Sequence, residues 1–526
     1  DFPQKIDGSF ALFIHDVTKS RLILARDRIG KQPLYWYHDQ HHFIFASELK
    51  ALIATGIVPQ TFSRDAIAMY LYFGYIPQDL SPIKEVNKLL PGNYLVFDAH
   101  KGKKICPYWS YSSYYEKREN SDPKIVTENI EKLLYESTKV LIPSDEETGC
   151  FLSGGIGSAT VAYEVSKISK PKGFSVYFKD QNESDFDAAK SVASTLKIPL
   201  KSASITAKTF VDHLVEIIWA LDEPLADPNI VATYTLAALA KDETYAVFSG
   251  MGSDEFLAGH NRYTTDENLA MMSRLNLIPA PIIKHVLIPI AHAIYKPAAY
   301  NILKISRTNP WQFEFLRQSA LFDEGALREA SPKLANLFDP DTFLHKFHHI
   351  SRIRSTVSSL LYFDVKTRLP DCFILQFERL TKISGLSWRT PFLNRHLIEY
   401  AAGLPEPEIL AEAETASYLK PLISSIFSEQ FINRPKRTRH NFLNLWANEP
   451  EIHMLFQFLL NGALVENGII CKKWIQQALK DSQMIQENFH RLFGLLVLEI
   501  WFHLYINRPL HQEPTTTNIN ELLISS

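Results

Sequence analysis

Two stretches of this sequence carry residue types and spacings suited to holding an anion. The first is Ser153-Gly154-Gly155-Ile156-Gly157-Ser158, which follows a short apolar run from Cys150 to Leu152 and precedes a helical pattern from Ala159. A buried strand, a loop of small residues and a helix, in that order, form an anion cradle. Glycines let the backbone close on a phosphate, hydroxyls donate to it, and the helix N-terminus adds positive potential. The spacing is not that of a Walker A loop, since no Gly-Lys-Ser/Thr follows. Taken alone, the loop also fits a tight strand-to-helix turn. The second stretch repeats the theme. An apolar run, Ala246–Phe248, leads into Ser249-Gly250-Met251-Gly252-Ser253 and then two acids, Asp254 and Glu255. Leu221-Asp222-Glu223-Pro224 lies between the two loops.

With these motifs in view, the sequence resembles the asparagine synthetase family, the glutamine-hydrolysing type with an N-terminal amidotransferase domain. The family's pyrophosphate loop reads Ser-Gly-Gly-x-Asp-Ser, its second loop Ser-Gly-Glu-Gly-x-Asp-Glu, and a Leu-Asp-Glu-Pro segment sits between them. The resemblance runs from residue 1 to about 445. Arg26–Tyr35, Phe45–Lys50 and Leu90–Tyr94 look like the second half of the amidotransferase domain. Leu369–Arg379, Trp388–Asn394 and Asn433–Lys436 resemble later family signatures. Two positions depart from the pattern: Gly157 stands where the family has aspartate, and Met251 where it has glutamate.

The resemblance implies an α/β protein. A partial, β-rich amidotransferase domain of the N-terminal-nucleophile type is expected over residues 1–112. A synthetase domain over 113–526 is expected to follow, with a parallel sheet like that of the adenine-nucleotide alpha-hydrolases and a large helical part. It also implies a reaction: ATP converts a substrate carboxylate, aspartate in the family, to an acyl-adenylate, and ammonia from glutamine displaces AMP. Ser153, Gly154, Gly155 and Ser158 would hold the pyrophosphate. Leu152, Val176, Ser249 and Gly250 would flank the adenine, by resemblance. Asp254 would hold Mg2+, which takes one or two carboxylates together with phosphate oxygens. Lys436 matches the family lysine that offsets charge on the α-phosphate, and Asp185 matches an acid at the edge of the nucleotide site.

Each assignment has an ordinary structural alternative. Asp254 could be a helix N-cap. Lys436, beside Arg434, Arg437 and Arg439, could belong to a solvated basic loop. Ser153 and Ser158 could be turn residues, Asp185 an exposed helix-face acid, and Asp222 and Glu223 caps of a helix end.

The elements that must position these residues are legible in the apolar periodicity. Short runs at Phe10–Ile14, Arg21–Ala25, His42–Ala46 and Tyr94–Phe97 read as antiparallel strands. From Ile125 the pattern turns to helices at 125–140, 185–196, 209–221 and 230–240, interleaved with strands at 150–152, 174–178 and 246–248. Strands alternating with helices imply a parallel sheet covered on both faces. Ligands bind beyond the carboxyl ends of such strands, where both glycine loops fall. Residues 260–526 look mainly helical, at 360–365, 396–402, 416–427 and 492–504. Ile282–Tyr295 reads as a core helix, and the tail Glu513–Ser526 as disordered.

Composition bounds the partners. Across 526 residues, an apolar content of 46%, a charged content of 21% and a net charge of −3 describe an ordinary globular chain without a global basic field, so nucleic acid is not implied. No apolar run reaches membrane-spanning length, no signal peptide is evident, and a cytoplasmic setting with a homodimer left open is expected. The four cysteines (Cys106, Cys150, Cys372, Cys471) have no paired spacing and read as buried or incidental. Because the sequence starts at Asp1, the N-terminus is expected to be processed or preceded by further chain. As given, it is not expected to hydrolyse glutamine, a reaction that needs an activated thiolate. Three readings stay open: an asparagine synthetase; a related adenylating ligase with another carboxylate, as in relatives that close β-lactams or macrocyclic peptides; and a degenerate homologue, favoured by Gly157 and Met251.

Overall fold

The computed structural model describes residues 2–98, 100–117, 119, 122–144, 146–179, 184–259, 263, 278–287, 289–290, 310–338, 343–344, 346–347, 356–404, 418–434, 446, 449–510 and 519–524. The expected β-rich start is present as two antiparallel sheets. In the first, β1 (Ala11–Asp16), β2 (Arg21–Arg26), β6 (Asn93–Asp98) and β7 (Gly102–Pro107) lie in that order. In the second, β3 (Tyr35–His38) pairs with β4 (Phe43–Ala46) and β5 (Asn87–Lys88). Leu24, Leu34, Trp36, Leu89 and Leu95 pack together in a small core of their own.

A 19-residue helix, Pro123–Leu141, capped by the Asp122 side chain, leads into the second unit. Its sheet has five strands, all parallel, in the order β10 (Leu200–Ile205), β9 (Lys172–Phe178), β8 (Thr148–Phe151), β11 (Ala246–Phe248) and β12 (Ser387–Arg389). The three residues of β11 are fully buried, as are the four of β8. This is the near-continuous apolar run that a central parallel strand requires. Two of the five strands are absent from the expectation. Both are edges, where periodicity is weakest: β10 carries exposed Lys201 and Ser202, and β12 is three residues long with one neighbour.

From β8 the chain moves outward through β9 to β10, then returns across the sheet to β11. The reversal of strand order therefore falls between β8 and β11, where α/β sheets bind ligands. The register sets Phe248 beside Cys150, so the loops that follow these two strands emerge side by side.

Beyond residue 310 the described residues are mainly helical. The longest helix, Ser482–Tyr505, is buried along its whole second half, from Leu492 to Tyr505, and packs on Ala207–Leu221. Two expectations need correction. Within the stretch read as a core helix, residues 282–295, the described residues Ile282, Val286 and Ile290 are exposed and do not form a covered face. The tail read as disordered has a helix among its described residues. Ile519–Ile524 is a helix with Ile519 and Leu522 buried, because two apolar side chains suffice to dock one turn on a neighbour. No helix among the described residues is long and apolar enough to cross a membrane.

Candidate functional site

The first glycine loop is shaped by its own hydroxyls. Ser158 Oγ donates to the Gly155 carbonyl (2.9 Å) and lies 3.3 Å from the Ser153 amide, whose N–H it accepts. Ser153 Oγ is 3.2 Å from Ser158 Oγ and accepts weakly from the Gly155 amide at 3.4 Å. The helix Ile156–Ser166 starts here with Gly155 as its N-cap. Gly154 has φ +76°, and a Cβ there would lie 2.2 Å from the Asp185 carbonyl oxygen, so no other residue fits. Ser153 is exposed at the loop mouth, whereas Ser158 is buried beneath it.

The second loop lies against the first at a contact between glycines. A Cβ on Gly250 would come within 2.5 Å of the Gly157 carbonyl carbon and the Ser158 amide nitrogen. A Cβ on Gly157 would meet Ser253 Oγ at 2.1 Å and Ser253 Cβ at 2.9 Å. Gly157 is not in the left-handed region; space, not φ, keeps a side chain out. Ser249 is buried, its Oγ accepting from the Trp388 indole at 2.8 Å, and its amide donates to the Arg389 carbonyl. The edge strand β12 thus orients the start of the second loop. Thr390 Oγ1 donates to the Met251 carbonyl at 2.6 Å, and the Met251 side chain packs against the core.

Asp254 is the second residue of a short helix, Ser253–Leu257, that begins after Gly252 at φ +93°. It lies in the first turn and is not the N-cap. Leu152 is buried, its amide bonded to the Phe174 carbonyl at 2.8 Å, and Val176 is half-buried in β9 opposite Ala203. The structure therefore gathers Ser153, Gly154, Gly155 and Ser158 with Ser249, Gly250 and Asp254 at the carboxyl ends of β8 and β11. Lys436 lies outside the described residues. Among the described residues, no three His, Cys, Asp or Glu side chains converge as a metal set.

Residues 129–503, well over half of the chain, match the protein family described as asparagine synthase. This chain belongs to the asparagine synthase family. Residues 1–109 match the glutamine amidotransferase domain family. Membership places the chain in the class of ATP-dependent amide ligases. It is 26% identical over 519 residues to the glutamine-hydrolyzing asparagine synthetase 1 of Bacillus subtilis, covering 96% of this chain and 78% of that protein. It is 25% identical over 531 residues to the amidase chry2 of Gibberella zeae, covering 92% and 77%. Among solved structures, an NH3-dependent NAD synthetase from Campylobacter jejuni matches at TM-score 0.21 and 17% identity, covering 44% of this chain and 98% of that one, values too low to carry an inference.

The Leu-Asp-Glu-Pro segment of this asparagine synthase-family chain is no part of the cradle. It forms the seam between the two units. Asp222 accepts from the amides of Leu49 (3.0 Å) and Lys50 (3.4 Å), capping the helix Leu49–Ile53 of the other unit. It also pairs with Lys50 Nζ at 2.6 Å and Arg379 at 2.8 Å. Glu223 accepts from the Tyr35 hydroxyl at 2.8 Å and pairs with Lys88, which also reaches Asp371 at 3.3 Å. Asp222, Glu223, Lys88, Asp371 and Arg379 are each 5% exposed or less. Burial pushes the Glu223 and Asp371 carboxyls above the ordinary range. Burial pushes Asp222 up as well, but the charges of Arg379 and Lys50 outweigh it and hold that carboxyl low.

Sequence reasoning left two participants unread. The Trp388–Ser249 bond had no local signal, since nothing in the sequence links residues 139 apart. Arg434 stood within the Asn433–Lys436 segment that resembles a family signature, with no role of its own read for it, and its guanidinium reaches the first loop. The thiols of Cys150 and Cys372 are buried and pushed up by that burial, in keeping with their reading as buried or incidental.

Proposed function

We propose that this chain is an adenylating amide ligase that activates a small carboxylate with ATP, aspartate first, and passes the acyl group to ammonia supplied from glutamine. The observation that supports it is the packing of the two glycine loops at the strand-order reversal between β8 and β11, with Asp254 in the first turn of the helix after the second loop. In this reading the amides and hydroxyls of Ser153, Gly154, Gly155 and Ser158 receive the pyrophosphate. Adenine lies along Leu152, Val176, Ser249 and Gly250. The attacking carboxylate oxygen forms a bond to the α-phosphorus as the bond to pyrophosphate breaks. Ammonia then displaces AMP from the acyl carbon, losing a proton. Lys436 offsets the charge that develops on the α-phosphate. The donor set fits magnesium bound through one carboxylate, Asp254, and the phosphate oxygens, since this ion keeps several waters. Its chemistry there is to neutralise phosphate charge. The amidotransferase unit, proposed to end near residue 112, faces the synthetase unit across the Asp222–Glu223 seam.

Met251 favours a second form of the same chemistry. Its side chain is seated on the core and its carbonyl is held by Thr390; with no carboxylate at that position, the acceptor in this second form is an acid other than aspartate. Pyrophosphate release from ATP and magnesium separates the readings. Release with aspartate is expected; release only with another carboxylic acid moves the assignment to that acid; none with any acid overturns the proposal and leaves a degenerate homologue.

A further inference from the structure

Arg434 is brought to the anion cradle from a segment 280 residues away from Gly154. One guanidinium nitrogen donates to the Ser184 carbonyl at 2.6 Å and meets Asp185 Oδ1 at 2.8 Å, and the other donates to the Gly154 carbonyl at 2.9 Å. These three contacts come from two elements. Gly154 belongs to the loop after β8, and Ser184 and Asp185 open the helix Ser184–Leu196. The same two elements touch directly at the Asp185 carbonyl, over which Gly154 folds at φ +76°. A rigid, planar fork that satisfies two carbonyls and a carboxylate at once fixes their relative positions in a way a point charge does not.

The Gly154 carbonyl matters because of what it shares. No peptide bond described here is cis, so the C=O of Gly154 and the N–H of Gly155 point in opposite directions from one plane. Holding the carbonyl on Arg434 turns the Gly155 N–H inward, toward Ser153 Oγ at the exposed mouth of the loop. That contact, at 3.4 Å, is long enough for the amide to exchange it for a stronger acceptor.

We infer that Arg434 is a positioning residue for pyrophosphate: it holds the Gly154–Gly155 peptide in the orientation that presents the Gly155 amide to the anion. The inference rests on the proposed function, because it assumes that the cradle receives the pyrophosphate of ATP. In this role Arg434 acts through the Gly154–Gly155 peptide, whose carbonyl it holds.

The test is calorimetric titration of inorganic pyrophosphate with magnesium into the wild type, Arg434→Gln and Arg434→Lys, with thermal melts and ATP kinetics alongside. Arg434→Gln should bind pyrophosphate about tenfold more weakly, the worth of one charge-assisted hydrogen bond. Arg434→Lys, which reaches one carbonyl, should lie between the two. The KM for ATP should rise with kcat nearly unchanged, a split that loosened packing alone would not produce. Pyrophosphate binding in Arg434→Gln equal to wild type overturns the role of Arg434 and leaves the proposed function standing. Should that variant fail to fold, Arg434→Lys decides: wild-type affinity in it overturns the role. No pyrophosphate uptake by the wild type overturns the cradle, and the inference with it.

Discussion

At the scale of single residues, Gly157 decides most. The resemblance places an aspartate there, and restoring it would, in the proposed reading, offer magnesium a second carboxylate besides Asp254. The structure places an obstacle in the way: the new Cβ would sit 2.1 Å from Ser253 Oγ and 2.9 Å from its Cβ, and Ser253 is buried. The obstacle is not a positive φ, so the strain is steric and removable. Gly157→Asp alone should lower stability by about 1–3 kcal/mol, the usual cost of overpacking, with no gain in magnesium–ATP affinity. Gly157→Asp with Ser253→Gly removes both contacts and should tighten binding about tenfold through the added ligand. Calorimetry of magnesium–ATP on wild type and both variants, with melts, checks this. Weaker binding in the double variant than in wild type would mean that the position no longer faces a metal.

At the scale of elements, the site exists because β8 and β11 are neighbours in register and the loops after them are thin enough to touch. Gly250 is the contact point: its hypothetical Cβ meets main-chain atoms of Gly157 and Ser158, which cannot rotate away. Gly250→Ala must therefore part the two loops. We expect a loss of about 1–3 kcal/mol in stability and a fall in ATP affinity of at least about tenfold. The same substitution at Gly155, which meets only Ser153 Oγ at 3.4 Å, should cost far less. Equal effects at the two positions, in melts and in ATP titrations, would show that loop contact is not what forms the cradle. The five-residue helix carrying Asp254 depends on this arrangement too, since its start is pinned by Gly252 and by Thr390 on the Met251 carbonyl.

At the scale of the whole molecule, the two units are joined by a buried ionic seam whose members respond to protons in opposite directions. Asp222 has its folded-state pKa below the ordinary 3.8, so its contribution to stability is present above that pH and lost as pH falls through the folded value. Glu223 and Asp371 have folded-state values above 4.5 and 3.8, so their contribution is present at low pH and lost as pH rises through those raised values. Asp222→Asn should thus cost about 1.5–3 kcal/mol at neutral pH, by leaving Arg379 and Lys50 with Glu48 as their remaining carboxylate, and should flatten the stability loss below pH 3.8. Glu223→Gln, which keeps an acceptor for the Tyr35 hydroxyl, should cost less than about 1 kcal/mol. Denaturant unfolding of each at pH 3, 5 and 7 gives the sign; a larger cost for Glu223→Gln would reverse this picture of the seam. Asp222 also holds φ +66°, kept there by Trp501, which donates to its carbonyl at 2.8 Å. The long C-terminal helix is therefore part of the same joint.

By itself the sequence determined the family, the order of β-rich, α/β and helical parts, and the two glycine loops, because these are written in local patterns: apolar periodicity, small residues after a strand, acids after a loop. It also identified Gly157 and Met251 as departures. The tertiary structure alone decided what fills those places, namely the Ser253 side chain against Gly157 and the core and Thr390 around Met251. It decided that Asp222 caps a helix 173 residues away, that Trp388 orients Ser249, and that Arg434 reaches Gly154. The edge strands β10 and β12 emerged only there as well. Each of these depends on contacts between residues far apart in the chain, and such contacts leave no mark on local periodicity: a guanidinium in a basic run has the same sequence context whether it faces water or holds a loop in place.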